Sequence, residues 1–184
     1  MKTYSHTPSQ TVGPFFAYSL TAKQYGYNYN SIITDSLVDE SLEGERILIT
    51  GRIFDGQGNV IPDAIIEFIQ YFETDNQEIK SKIARVGTGT SNDSSFTFTS
   101  IKPKAINSQA AFIGVIIMMR GSLHHLHTRL YFSDENNEHD LLLNSIPEDR
   151  RISLIANKLQ KNNQIFYEFN IRMQGENETV FFAI

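Results

Sequence analysis

The most informative stretch of this sequence reads Gln109-Ala-Ala-Phe-Ile-Gly-Val-Ile-Ile-Met-Met-Arg-Gly-Ser-Leu-His-His-Leu-His-Thr-Arg-Leu-Tyr-Phe132. Residues 112–119 are almost continuously apolar, which is typical of a strand covered on both faces. Arg120-Gly121-Ser122 provides turn chemistry, because glycine tolerates the positive φ that a tight reversal often requires. Residues 125–132 then alternate along a second arm. The stretch therefore predicts a buried β-hairpin.

The second arm carries four chemically versatile side chains on one face. Neighbouring residues of a strand point to opposite sides of the sheet, so this face presents His125, His127, Arg129 and Tyr131. A His-x-His pair is a common half of a metal site, but a complete site needs more ligands. We therefore interpret the pair as histidines held by hydrogen bonds.

Arg129 has two interpretations. Its guanidinium can form a salt bridge with a carboxylate such as Asp134, or it can recognise an anionic ligand. The planar fork of arginine matches a carboxylate in a bidentate pair, which provides orientation as well as attraction. The residues alone leave both interpretations open.

The remaining pattern predicts a mainly β protein. Alternating segments separated by turns predict strands over residues 46–54, 60–70, 96–103, 165–173 and 179–184. Residues 71–95 are polar and predict irregular structure. Ser145-Ile-Pro-Glu148 resembles a capping box and predicts one short helix, to about residue 158, that buries Ile152, Ile155 and Leu159. Together these elements predict an antiparallel β-sandwich.

The N-terminal region differs from the rest. Residues 1–46 contain two prolines and a glycine within Thr7-Pro-Ser-Gln-Thr-Val-Gly-Pro-Phe-Phe16, which predicts an extended arm with a fixed bend. The arm is too apolar to remain free in solvent. We expect residues 1–46 to form an arm and loop that dock on the core or on a partner chain, and residues 47–184 to form the sandwich domain.

Composition excludes several classes of function. The chain has 184 residues and a net charge of −5, which argues against a general nucleic-acid-binding surface. It has no cysteine, so disulfides, thiolate metal sites and a cysteine nucleophile are all excluded. No apolar window approaches the length of a membrane span, and the first residues lack the apolar core of a signal peptide. A cytoplasmic location is the default expectation.

Several strings, in order, resemble the intradiol ring-cleavage dioxygenases. The resemblance covers nearly the whole chain and includes the N-terminal arm Thr7 to Phe15, and it is most specific for the alpha chains of this family. The other strings are Thr50-Gly-Arg-Ile-Phe-Asp-Gly-Gln-Gly58, Pro62-Asp-Ala-Ile-Ile-Glu67, Ser100-Ile-Lys-Pro103, His125-Leu-His-Thr-Arg-Leu-Tyr-Phe132 and Gln174-Gly-Glu-Asn-Glu-Thr-Val-Phe-Phe182.

The resemblance implies O2-dependent cleavage of a catechol ring on a β-sandwich of the intradiol dioxygenase type. In this family, two tyrosines and two histidines hold a non-haem ferric ion. The positions matching those ligands are Gln77, Ile106, Phe112 and Gly114. None of the four is a Tyr or His, so we expect no metal and no catalytic residue in this chain. Alpha chains pair with an iron-bearing beta chain of the same fold, and Fe(III) is expected on that partner.

The resemblance also implies a substrate-binding set consisting of Arg129, Gly13, Pro14 and Phe15. The implied substrate is protocatechuate, a catechol with a ring carboxylate that suits Arg129. Phe15 stands where many relatives have tyrosine, so one pocket hydroxyl is absent. Two alternatives remain open: a catalytically inactive sandwich that acts as a scaffold or a small-molecule-binding module, and a metalloprotein that uses His125 and His127.

Overall fold

A computed structural model describes residues 5–13, 15–38, 43–161 and 164–183. Regular structure in these residues is mainly β. The strands are β1 (Arg46–Gly51), β2 (Ile53–Phe54), β3 (Ile65–Glu73), β4 (Ile79–Gly87), β5 (Phe96–Ile101), β6 (Phe112–Met118), β7 (Leu126–Phe132), β8 (Ile155–Lys161), β9 (Gln164–Glu168) and β10 (Ile171–Arg172). The helices are α1 (Phe16–Leu20), α2 (Leu141–Asn144) and α3 (Glu148–Arg151), with 3-10 turns at Ala22–Tyr25 and Ile152–Leu154.

The predicted hairpin is confirmed as β6 and β7. The two strands pair antiparallel, with Phe112 opposite Tyr131 and Gly114 opposite Arg129. Gly121 has a φ of 86° in the connection, which is the left-handed conformation that glycine tolerates. The prediction that β6 is covered on both faces is wrong. Its odd-numbered residues are buried in the core, whereas its even-numbered residues, from Phe112 to Met118, are only partly buried.

The sheet folds over into two layers. Eight strands pair in the order β4-β3-β6-β7-β8-β9-β1-β5, and β2 pairs with β10 in a separate small sheet. Phe68 on β3 stacks on Phe98 on β5, with ring centroids 3.7 Å apart. β3 is second from one end of the pairing order and β5 is at the other end, so their contact closes the sandwich around the main core. The pairing is mostly antiparallel, as predicted, but β7 with β8 and β9 with β1 are parallel.

A second, smaller core lies on the outer face of the hairpin. Tyr131 is fully buried there, against Leu143, Ile146 and Leu154 from the segment that follows β7. α2 begins after Asp140, whose carboxylate accepts a hydrogen bond from the backbone N–H of Leu143 at 2.8 Å. Asp140 is therefore the residue that caps this helix.

The predicted helix from Ser145 to about residue 158 is confirmed only over residues 148–154, as α3 and the 3-10 turn that follows it. Ser145 lies at the end of α2, and helical structure stops at Leu154. Residues 155–161 instead form β8, which pairs with β7 and β9. Ile152 is 76% exposed and Leu159 is 40% exposed, so the apolar face expected for a longer helix does not exist. Sheet pairing overrides the local helical pattern here.

Two further predictions about strands are corrected. Residues 71–95 are not irregular throughout, because β3 continues to Glu73 and residues 79–87 form β4. β4 lies at the edge of the sheet and carries many polar residues. A polar segment without regular alternation of apolar residues resembles a loop in the sequence. The predicted C-terminal strand is reduced to a single bridge, in which the backbone N–H of Phe182 donates to the carbonyl of His127 at 2.8 Å.

The N-terminal segment lies against the sandwich at several points. Gln24 bridges the segment to β4, since its amide donates to the carbonyl of Arg85 at 3.0 Å and accepts from the N–H of Gly87 at 2.9 Å. Thr11 accepts a hydrogen bond from the N–H of Gly121, at the tip of the hairpin, at 2.8 Å. In the described part of the chain, the helices are too short or too polar to cross a membrane.

Asp134 joins the end of β7 to three other strands. Its carboxylate lies 2.8 Å from the ammonium groups of both Lys102 and Lys158, and it accepts a hydrogen bond from the Tyr167 hydroxyl at 3.1 Å. Burial alone would raise the pKa of Asp134, but these hydrogen bonds outweigh it and lower the pKa to about 2. The ionised carboxylate therefore ties the two layers together at this edge.

Asp134→Asn should lower the free energy of unfolding at neutral pH by about 1–2 kcal/mol, because Lys102 and Lys158 lose a charged partner. A depressed folded pKa contributes stability above the unfolded pKa, which is about 3.9, and that stability is lost as the pH falls toward about 2. Urea unfolding at a series of pH values measures both effects. Wild-type and variant curves that stay parallel down to pH 2 would contradict this assignment.

Gly51 should not tolerate a side chain. A Cβ at this position would collide with the backbone carbonyl of Phe169, because the chain that follows β9 lies directly beside β1. Gly51→Ala is therefore expected to destabilise the protein by about 2–4 kcal/mol. Gly114→Ala is the matched control, because a Cβ there meets Ile69 only at ordinary contact distances of 3.5 and 3.6 Å. Thermal unfolding measures the stability of both variants, and an equal loss of stability in the two would contradict the prediction.

Candidate anion-binding site

Arg129 lies on the outer face of β7 and is held by neighbours on both arms of the hairpin. Its guanidinium lies 3.9 Å from the ring centroid of Phe112, in a cation–π contact. Nη1 donates to Oε1 of Gln109 at 2.8 Å and to the Tyr131 hydroxyl at 3.3 Å. Among the described residues no carboxylate pairs with Arg129. Asp134 is bonded to Lys102 and Lys158 instead, so the interpretation of Arg129 as its salt-bridge partner is wrong.

The guanidinium borders a cavity of about 230 Å³. Arg129 and Lys104 supply positive charge, Tyr71 and Phe112 supply aromatic surface, and no acidic side chain lies in the wall formed by the described residues. The full lining is Tyr71, Ile79, Lys104, Ile106, Asn107, Gln109, Phe112 and Arg129. Two cations beside aromatic rings are suited to a small, flat anion.

The buried hydroxyl of Tyr131 accepts a hydrogen bond from Arg129. Tyr131 donates from its hydroxyl to Oδ1 of Asp140 at 3.2 Å and accepts from Arg129. Burial raises the pKa of Tyr131 to about 12, against the opposing effect of the arginine. The phenol therefore stays protonated at neutral pH and acts as donor and acceptor at once.

The arm residues lie elsewhere. Phe15 is 74% exposed, and its ring lies beside that of Tyr18, with centroids 6.1 Å apart. Gly13 is exposed, and a Cβ built on it meets no atom within 4 Å. Pro14 lies outside the described residues. No described arm residue lines the cavity of Arg129, so neither Gly13 nor Phe15 joins Arg129 within a single chain.

His125 and His127 form a pair without further ligands. Their ring centroids lie 4.8 Å apart. Burial, followed by the charge on His125, lowers the pKa of His127. Glu135, in the next loop, is engaged 2.6 Å from Lys102. The described residues contain no group of three His, Asp or Glu side chains that could hold a metal ion.

The four positions matched to iron ligands do not fit a metal. Ile106 and Phe112 line the cavity, Gly114 pairs with Arg129 across the hairpin, and Gln77 lies in the β3–β4 turn with a φ of 62°. Ile, Phe and Gly have no side-chain atom that can coordinate iron. Phe112 instead provides the surface on which Arg129 stacks. The donor set required for ferric iron is therefore absent at these positions.

Sequence reasoning missed the other polar residues of the site. Lys104 and Gln109 lie in an irregular segment before β6, and Asp140 lies in a loop of acidic and polar residues. No local pattern links any of them to Arg129. These residues approach Arg129 only because the segments before β6 and after β7 pack on the outer face of β7.

No protein-family model matches the chain. It is 42% identical over 197 residues to a protocatechuate 3,4-dioxygenase alpha chain from Burkholderia cepacia, covering 100% of both chains. It is 35% identical over 192 residues to the alpha chain from Pseudomonas putida, covering 96% of this chain and 95% of that one.

Solved structures share the fold at lower identity. An intradiol ring-cleavage dioxygenase from Tetranychus urticae matches with a TM-score of 0.62 at 15% identity, over 92% of this chain and 94% of that one. The dioxygenase domain of a dioxygenase carbohydrate-binding protein fusion from Streptomyces sp. SirexAA-E matches with a TM-score of 0.59 at 20% identity, over 96% and 100%. The chain thus has the intradiol dioxygenase fold and belongs to the protocatechuate 3,4-dioxygenase alpha-chain family.

Proposed function

We propose that this chain is the iron-free alpha subunit of a dioxygenase that cleaves protocatechuate with O2 to 3-carboxy-cis,cis-muconate. The names of the two alpha-chain relatives support the reaction. The replacement of the ligand positions by Ile106, Phe112 and Gly114 supports an iron-free role. In this proposal an iron-bearing beta chain of the same fold is the partner and holds Fe(III). The default prediction of a cytoplasmic location is unchanged.

The position of Arg129 in the cavity is the observation that most directly supports the proposal. It presents a guanidinium in a cavity that also contains Lys104, and no carboxylate of the described residues neutralises it. Only Nη1 is engaged by described residues, so the remaining N–H groups are available to a ligand. A ring carboxylate matches that edge in size, charge and planarity. Arg129 accordingly recognises the substituent that distinguishes protocatechuate from catechol.

In this proposal the exposed residues of the N-terminal arm contact the partner, while Thr11 and Gln24 hold the arm on its own sandwich. Gly13 and Phe15 are exposed and lie away from the cavity of Arg129. An arm of residues 1–46 that docks on a second chain can place Gly13, Pro14 and Phe15 beside a pocket there. Proline limits the bend of such an arm, and glycine permits close backbone approach.

The alternative function is that of a catalytically inactive small-molecule-binding module. The same cavity supports it, because an unpaired arginine beside aromatic rings suits an aromatic anion with or without catalysis. A scaffold function alone does not explain why an arginine without a carboxylate partner among the described residues borders a cavity. The partner chain and its iron distinguish the module from the enzyme subunit.

Native mass spectrometry of the chain, purified gently from its source cells, tests the assembly. We expect a second chain of similar size and iron in stoichiometric amount with it, because obligate pairs bury large apolar interfaces. Metal analysis of the separated chains should find the iron on the partner. A chain that arrives alone and free of iron contradicts the enzyme subunit and favours the binding module.

Arg129→Ala in the intact assembly tests substrate recognition. The KM for protocatechuate should rise by about 10- to 100-fold, the effect of losing hydrogen bonds to a charged group, whereas the KM for catechol should not change. Arg172→Ala is the matched control, because Arg172 also stacks on a phenylalanine, Phe54, with its guanidinium 4.9 Å from the ring centroid. An unchanged ratio of the two KM values in Arg129→Ala would contradict the role of Arg129.

A further inference from the structure

A single buried carboxylate lies behind the polar groups of the cavity. Asp140 is 1% exposed and accepts hydrogen bonds from the Leu143 N–H at 2.8 Å, the Ala110 N–H at 3.0 Å and the Tyr131 hydroxyl at 3.2 Å. A buried carboxylate needs such partners, because an unpaired charge is costly to desolvate. Asp140 is too deeply buried to contact a ligand in the cavity.

Two partners of Asp140 lead directly to the cavity. Ala110 is the residue next to Gln109, so its bond to Asp140 fixes the backbone that presents the Gln109 amide. Tyr131 lies between Asp140 and Arg129 and bonds to both. Gln109 and Tyr131 are also the two acceptors of Nη1 on Arg129. The Asp140 carboxylate therefore helps to hold both residues that accept hydrogen bonds from the Arg129 guanidinium.

The direction of these bonds is determined by chemistry. The Arg129 guanidinium can only donate, and both carboxylate oxygens of Asp140 already accept a backbone N–H, Oδ1 from Leu143 and Oδ2 from Ala110. The phenol must then donate to Asp140 and offer its lone pair to Arg129. Because burial prevents Tyr131 from rotating toward solvent, this lone pair stays directed at Nη1. The ring of Phe112 holds the flat face of the same guanidinium.

We propose that Tyr131 and Asp140 are positioning residues that hold the Arg129 guanidinium ready for the carboxylate of an aromatic ligand. The inference rests on the proposed function, which supplies an aryl carboxylate as substrate. A free arginine side chain loses considerable rotamer entropy when it binds a ligand. Here the stacking on Phe112 and the bonds to Gln109 and Tyr131 order the side chain before the ligand arrives, while other N–H groups stay available.

Tyr131→Phe in the intact assembly removes only the hydroxyl and keeps the buried ring. We expect the KM for protocatechuate to rise by about 3- to 10-fold, the effect of one hydrogen bond, while the KM for catechol stays at the wild-type value. Tyr167→Phe is the matched control. Tyr167 is also fully buried and its hydroxyl also bonds to a carboxylate, that of Asp134, but it lies away from the cavity. The control should change thermal stability and not the ratio of the two KM values.

A double variant separates positioning from general loss of structure. In an Arg129→Ala background, Tyr131→Phe should cause no further rise in the KM for protocatechuate, because the hydroxyl no longer has a guanidinium to hold. Asp140→Asn provides an independent variant if Tyr131→Phe fails to fold. It retains an oxygen acceptor for the α2 cap but replaces the other acceptor, which receives the Ala110 N–H, with an NH2 donor. We expect a rise of about 2- to 5-fold, specific to protocatechuate.

The outcomes distinguish this inference from the proposed function. A loss of preference for protocatechuate in Arg129→Ala, without any in Tyr131→Phe or Asp140→Asn, overturns the positioning role and leaves the proposed function intact. Unchanged preference in all three variants overturns both. Additive effects in the double variant also overturn the positioning role, since they show that Tyr131 acts independently of Arg129.

Discussion

The antiparallel pairing of β6 with β7 is the constraint on which the other features depend. It sends Ile113, Val115 and Leu130 into the main core and turns Phe112 and Arg129 outward. The outer face is then divided between the small core around Tyr131 and the cavity. A slip of one residue in this register would put Arg129 in the main core, where an unpaired charge is not tolerated. The hydrophobic core therefore determines where the arginine lies.

Features with a period of two residues were predictable from sequence. Alternation correctly placed Arg129 and Tyr131 on the same face of β7. This prediction succeeds because a strand in a sandwich has one face in the core, and burial acts residue by residue. The glycine-containing turn at Gly121 was predictable for a similarly local reason.

The errors arise where distant parts of the chain determine local structure. Residues 155–161 have a helical pattern but form β8, because β7 and β9 on either side offer backbone partners. β4 is polar because it lies at an edge, where few of its side chains need burial. The support of Arg129 by Asp140, through Tyr131, could not be inferred for the same reason: Asp140 precedes a short helix whose packing on β7 is a tertiary event.

The residue type at position 112 and the position of the Arg129 guanidinium are physically linked in this cavity. The Phe112 ring lies 3.9 Å from the Arg129 guanidinium and attracts it through its electron-rich face. A side chain that bound a cation at position 112 would instead place a second positive charge beside the same guanidinium. At a separation of about 4 Å, two unit charges repel by about 4 kcal/mol at the effective dielectric of a protein surface. The Phe112 ring therefore stabilises the observed position of the guanidinium, whereas a cation bound at this position would oppose it.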